Sequence, residues 1–177
     1  CCRTASRRSR SPSATPRTVR GDDHTALLKE RNDLAREHRR LVDLYVSGRV
    51  TIQDVEAAEM RLLDARHRLG EIDGPTWHRA RAVVIARAVE STHLLFEAGM
   101  ASAVDFHRVE LSLELERLLA GDAADYETSR SAFFKALKDR QAAMVEAGRD
   151  SPKAVHEEFE RLESEFPPAD VAKAKDR

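Results

Sequence analysis

Apolar residues recur along this chain at steps of three and four, in runs cut at regular intervals by glycine and proline. Val55, Ala58, Leu62, Ala65, Leu69 and Ile72 make one run, and Trp77, Ala80, Val84, Ala88, Ser91 and Leu95 a second. Val155, Phe159, Leu162 and Phe166 make another. This near-heptad spacing gives each helix one apolar seam, and alanine alternating with leucine in the seam lets helices approach closely. Glu56, Glu59, Arg61, Asp64, Arg66 and Arg68 occupy the remaining faces, which read as a solvated, ion-paired surface. Breaks at Gly48, Gly74-Pro75, Gly99, Gly121-Asp122, Gly148 and Pro167-Pro168 predict six helices. Thr51, Thr76, Ser102, Asp122 and Ser151 are the expected caps, with Pro152 at a first helical position.

The breaks repeat one another. Gly48 is followed by Thr51 and Asp54, and Gly99 by Ser102 and Asp105. Gly148 and Ser151 keep the spacing a third time, with Ala154 where the aspartate stood. The physical reading is a helix joint. A glycine takes a left-handed backbone, two residues turn, a hydroxyl caps the next helix, and an aspartate completes a capping box near the positive end of the dipole. The joints recur at intervals of about 50 residues, which fits an up-down antiparallel helical bundle or a short array of helical pairs.

Composition supports an all-α class: among 177 residues, charged types make up 34% and aromatic types 5%. The length suffices for one domain with its own core. A formal net charge of −1 gives no overall basic field to attract nucleic acid, so none is expected to bind the body of the chain.

The charge is unevenly placed. Residues 1–21 hold Arg3, Arg7, Arg8, Arg10, Arg17 and Arg20 without an acid and read as a disordered basic tail ahead of a helical domain over 22–177. The tail is either a polybasic arm for nucleic acid or anionic lipid, or a linker or over-extended reading frame; the lack of interleaved aromatics favours the latter pair. Cys1 and Cys2 are the only cysteines, and neighbours in sequence cannot staple distant parts of a fold. A chain opening at cysteine suits a lipoprotein anchored by acylation of Cys1, which favours an extracytoplasmic, periplasmic location; a fragment boundary explains it equally well. No run of 18 apolar residues appears, so no transmembrane helix is expected.

The first joint and its helix, Tyr45, Gly48, Thr51, Ile52, Asp54, Val55, Ala58, Leu62, Ala65 and Leu69, resemble the equatorial joint of TolC-type outer-membrane efflux proteins over about 25 residues per copy. That resemblance implies a trimeric envelope channel with a helical periplasmic tunnel, a pump partner and a periplasmic adaptor. The chain departs from the family in lacking the alternating apolar strands of a barrel and in being too short for the tunnel. Gly48, Val50, Thr51, Asp54, Val55, Glu56, Leu62 and Leu63 are also similar to a SHOCT segment, a short helical oligomerisation module.

Candidate chemistry is sparse. Glu90 with His93, and Asp64 with His67, have the acid-x-x-His spacing that two helices of a ferritin-like bundle use to hold metal. His107 with Glu110, and His78 beside Trp77, read as surface or boundary residues; Trp77, Phe133, Phe134, Phe159 and Phe166 read as core. There is no glycine-rich phosphate loop, zinc spacing, nucleophile elbow or His-Glu-x-x-His, so no catalytic, cofactor-binding or metal residue is assigned. The expectation is a non-enzymatic helical scaffold, associating with a protein partner or itself through its apolar seams. The alternative is a ferritin-like metal-binding protein of four helices.

Overall fold

The computed structural model describes residues 19–122 and 125–176. Among them the chain forms helices and no strand: α1 (Val19–Val46), α2 (Ile52–Arg68), α3 (Gly74–Glu97), α4 (Ala103–Leu119), α5 (Tyr126–Glu146), α6 (Pro152–Glu165) and α7 (Ala169–Lys175). The all-α class is as the sequence predicts. A seventh helix was not anticipated: the Pro167-Pro168 pair, read as a stop, also starts α7. The basic tail and Cys1 fall mostly outside the described residues, but α1 already begins at Val19, inside the 1–21 stretch.

The joints follow from local chemistry. Gly48 and Gly99 both have φ of +70°. At the first, the Gly48 N–H donates to the Tyr45 carbonyl at 2.8 Å and the Arg49 N–H reaches back to Leu44 at 2.9 Å. At the second, Gly99 donates to Phe96 and Met100 to Leu95. These are Schellman ends, which satisfy carbonyls that the helix leaves orphaned. Thr51 and Ser102 then close reciprocal capping boxes with Asp54 and Asp105. Hydrogen bonds from Thr51 and Ser102 hold the two aspartates below their ordinary pKa. The worn third joint keeps a left-handed Gly148 and a Ser151 cap onto the Ala154 N–H.

Two breaks lie elsewhere than predicted. Helix α2 ends at a left-handed Gly70, while Gly74 is already helical, and the cap of α3 is Asp73, which accepts from the Thr76 N–H at 2.8 Å. Asp73 competes better than Thr76 because it stands ahead of Pro75, which suits a first turn. Before α5 the cap position is Asp125, not Asp122, with no side-chain cap bond.

A Cβ added at Gly99 meets nothing within 4 Å, so the cost of a side chain there is backbone strain alone. Gly99→Ala is expected to lower stability by about 1 kcal/mol, and Gly99→Asn by less, because asparagine tolerates the left-handed region. Urea denaturation of the two variants checks this, and equal losses would contradict it.

Ion pairs show the helix directions. Glu37 meets Arg61 at 3.1 Å and Glu30 meets Arg68 at 2.6 Å, so advancing along α2 retreats along α1. Glu59–Arg87 and Asp64–Arg81 give α2 and α3 the same antiparallel sense. Backbone contact follows chain order: α1 on α2, α2 on α3, α3 on α4, α4 on α5, with α7 returning to α4. The arrangement is therefore a row of up-down hairpins in which most helices touch their chain neighbours, as in repeat proteins.

Packing differs along the row. Ala58 and Ala65 of α2 are fully buried, and their small side chains let α1 and α3 approach on either side. Leu63 is buried, whereas Leu62, expected in the seam, is half-buried at the edge of a groove facing α1. The large apolar side chains gather at the other end of the row. Leu111 and Leu118 of α4, Tyr126, Phe133, Phe134 and Leu137 of α5, Leu162, Phe166 and Ala172 form one cluster, with Phe159 packed against it. Phe133, Phe134 and Phe166 are thus core, as their sequence pattern implies, while Phe159 and Trp77 are half-buried.

Candidate functional site

Two features stand out from the solvated helix faces: a buried polar cluster where α2, α3 and α4 meet, and an apolar tip at the opposite end of the same helices.

The cluster begins in the first turns of α3. Trp77 and Arg81 are one helical turn apart, so they share a face toward α2, while His78 turns toward α4. Asp64 of α2 accepts from the Trp77 indole at 3.0 Å and from Arg81 Nη1 at 2.7 Å. The Arg81 guanidinium lies 4.9 Å from the Trp77 ring centre and donates its Nε–H to Glu116 of α4 at 2.8 Å. One planar guanidinium thereby ties three helices, a task its fork geometry suits. His67 stacks on Trp77 with ring centres 4.5 Å apart.

His78 corrects the sequence reading. Expected at the surface or boundary, it is 3% exposed. Its Nδ1 lies 2.6 Å from Glu116 Oε2, and its Nε2 lies 3.0 Å from Asp176 Oδ1, just past α7. Its burial depends on a partner 98 positions along the chain, which leaves no trace in local periodicity. Glu116 shows a faint signal, an acid set among the apolar residues Leu113, Leu115, Leu118 and Leu119. Both ring nitrogens face carboxylates, one on α4 and one just past α7.

The two acid-x-x-His pairs do not come together. Asp64 is engaged by Arg81 and Trp77, and His67 by Trp77 and the Ile72 carbonyl at 3.2 Å. His93 is near the far end of α3, 3.7 Å from Glu97, and Glu90 is exposed. Among the described residues no group of three or more His, Cys, Asp and Glu is arranged to hold a metal ion. His107 and Glu110 pair locally at 2.9 Å. A second buried acid, Glu56, has one carboxylate oxygen without a hydrogen-bond partner among the described residues; burial raises its pKa against the pull of Arg87.

Surface grooves offer little. The α1–α2 groove is lined by Arg31, Arg36, His38 and Arg39, but Arg31 pairs with Glu71 and Arg36 with Asp33, which neutralises much of the field. Between α5 and α6, Arg130 and Lys138 lie over Phe134 and Phe159 beside Asp139 and Glu163.

The apolar tip follows from helix lengths. Seven residues back from Glu59 is Ile52, the start of α2, and seven forward from its partner Arg87 is Leu94. Beyond Leu94 α3 therefore has no α2 beside it. Leu94 is 67% and Met100 72% exposed, with Leu95 and Phe96 about 40% exposed between them. Phe96 stacks on Phe106 at 5.4 Å, so the tip is ordered by its own aromatic pair. At the same end of the helix axes, α1 exposes Val42, Tyr45 and Val46. Leu95 and Met100 occupy the positions where a Schellman end carries an apolar contact. Leu94 is not part of that motif, and its exposure has no local structural reason.

Fold and site together define an all-α row of antiparallel hairpins with an internal salt-bridge cluster and a greasy tip. Comparison with known proteins finds no matching family model, curated protein or solved structure. No helix among the described residues is long and apolar enough to cross a membrane.

Proposed function

We propose that the protein is a non-catalytic helical scaffold that acts by association, with the tip of the α3–α4 hairpin as its contact face and a second copy of the chain as the occupant. The observation that carries this reading is the exposure of Leu94 and Met100 on an ordered hairpin tip. Large apolar side chains grouped in one exposed patch mark interaction surfaces. At the end of α3, Glu97 lies 3.7 Å from His93, which offsets its charge where the ring is protonated. Two-fold pairing sets the same patch against itself and removes the apolar surface of both copies from water. The cluster around Arg81 serves this role indirectly by fixing α3 between α2 and α4.

Sedimentation of the full chain over a wide concentration range tests the reading. The wild type is expected to shift toward a dimer as concentration rises, and Leu94→Asp combined with Met100→Asp to stay monomeric, with the same thermal midpoint as the wild type at concentrations where both are monomers. A wild type that stays monomeric throughout overturns self-association.

A further inference from the structure

We propose that α7 is a strap fastened by His78, whose ring bridges Glu116 and Asp176, and that loss of the ring's second proton unfastens α7 and uncovers the apolar surface of α4 beneath it. Carboxylates have no proton to give, so a ring with a carboxylate at each nitrogen donates from both and carries a positive charge. The distances, 2.6 Å to Glu116 and 3.0 Å to Asp176, place one bond on α4 and the other on the strap.

The strap needs fastening. Helix α7 has seven residues, too few to persist by its own hydrogen bonds. Beyond its buried Ala172, it is tied at its start by the Ala169 N–H, which donates to Glu127 at 2.7 Å, and past its end by Asp176. Leu115 and Leu119 of α4 lie beneath it, lining a groove with Pro167, Ala172 and Asp176. Ala169 also packs against the apolar cluster of α4 and α5.

The charged surroundings of His78 are defined. On α3, Arg81 shares Glu116 with it, and Arg79 is turned to Asp122 and the Ala120 carbonyl. On α2, Asp64 reaches the cluster only through Arg81. Lys173 and Lys175, on the strap itself, line the grooves beside Asp176. Burial is the largest influence on the ring and opposes its charge, but the bonds to Glu116 and Asp176 together outweigh it and raise the pKa. A raised pKa means that the clasp contributes fully below the ordinary histidine value of about 6.5 and is lost as pH rises through the higher folded value. The single proton then left stays at Nδ1, on the shorter bond to the more buried Glu116, and Asp176 loses its donor.

Nitrogen-15 NMR of the full chain at about pH 6 and about pH 9, with amide exchange expressed as protection factors, tests the clasp. At the lower pH both His78 nitrogens are expected to be protonated and the α7 amides protected. At the higher pH protection of α7 is expected to fall about tenfold or more, with Phe133 and Leu137 of α5 unchanged. Asp176→Asn should flatten the response, since an amide can accept from a protonated nitrogen and donate to a bare one. Asp176→Ala should leave α7 weakly protected at both pH values. Asp176 is partly exposed, so both variants are expected to fold. A wild-type α7 whose protection does not change with pH, or a step that survives in Asp176→Asn, overturns the proposal.

Discussion

Phe133→Ala is expected to lower stability by about 3–5 kcal/mol, the largest loss from a single side chain in the described structure. Phe133 is fully buried, with the Phe134 ring 5.1 Å and the Phe166 ring 5.7 Å away, both edge-on. Removing its ring leaves a cavity bounded by side chains from α4, α5 and α6, which cannot all collapse into it, because each is held by its own helix. For a domain of this size a loss of that magnitude corresponds to roughly 6–20 °C in the midpoint. Urea denaturation should show the midpoint moving with an unchanged slope. Leu94→Ala, by contrast, is expected to change stability by less than about 0.5 kcal/mol, because that side chain is exposed. A Phe133→Ala loss below about 1 kcal/mol would mean that the aromatic cluster is not the core.

Glu116→Leu is expected to cost about 3 kcal/mol for a different reason. Its carboxylate accepts from His78 on one oxygen and from Arg81 on the other, and it is nearly buried. Removing it strands a buried imidazole and a partly buried guanidinium, and breaking such a pair costs far more than the pair itself contributes. The loss sits at the low end of the usual range because Arg81 keeps Asp64. Adding His78→Leu should recover a substantial part of the loss, since two apolar side chains then fill a site that two charges had occupied. A double-mutant cycle in thermal denaturation reads this as a large coupling between positions 78 and 116, and additive losses would refute the buried clasp.

The hairpin row was legible in the sequence wherever the determinant was local. Gly48, Gly99 and Gly148 each end a helix in the left-handed region, and Thr51, Ser102 and Ser151 each cap the next, because a backbone turn and its cap involve residues only a few positions apart. Local competition also explains the misplaced breaks. Gly70 and Gly74 lie within one turn of each other, and Asp73 ahead of Pro75 decides that the first ends α2 and the second enters α3.

The candidate sites were settled at longer range. The tip at Leu94 is exposed because α2 stops where Glu59 and Arg87 set the register, a relation between two helices that the apolar pattern of α3 alone does not contain. His78 stands on a stretch whose spacing permits a surface position, and only the return of α7 to α4 brings Asp176 against it and closes it from water. By itself the sequence determined the first six helices, the caps at Thr51, Ser102 and Ser151 and the repeated joints, since these depend on dihedral preference and hydrogen bonds within a few residues. Which apolar residues stay exposed and which histidine is buried among carboxylates was decided by tertiary structure, because burial is a property of neighbours that the fold brings together from distant parts of the chain.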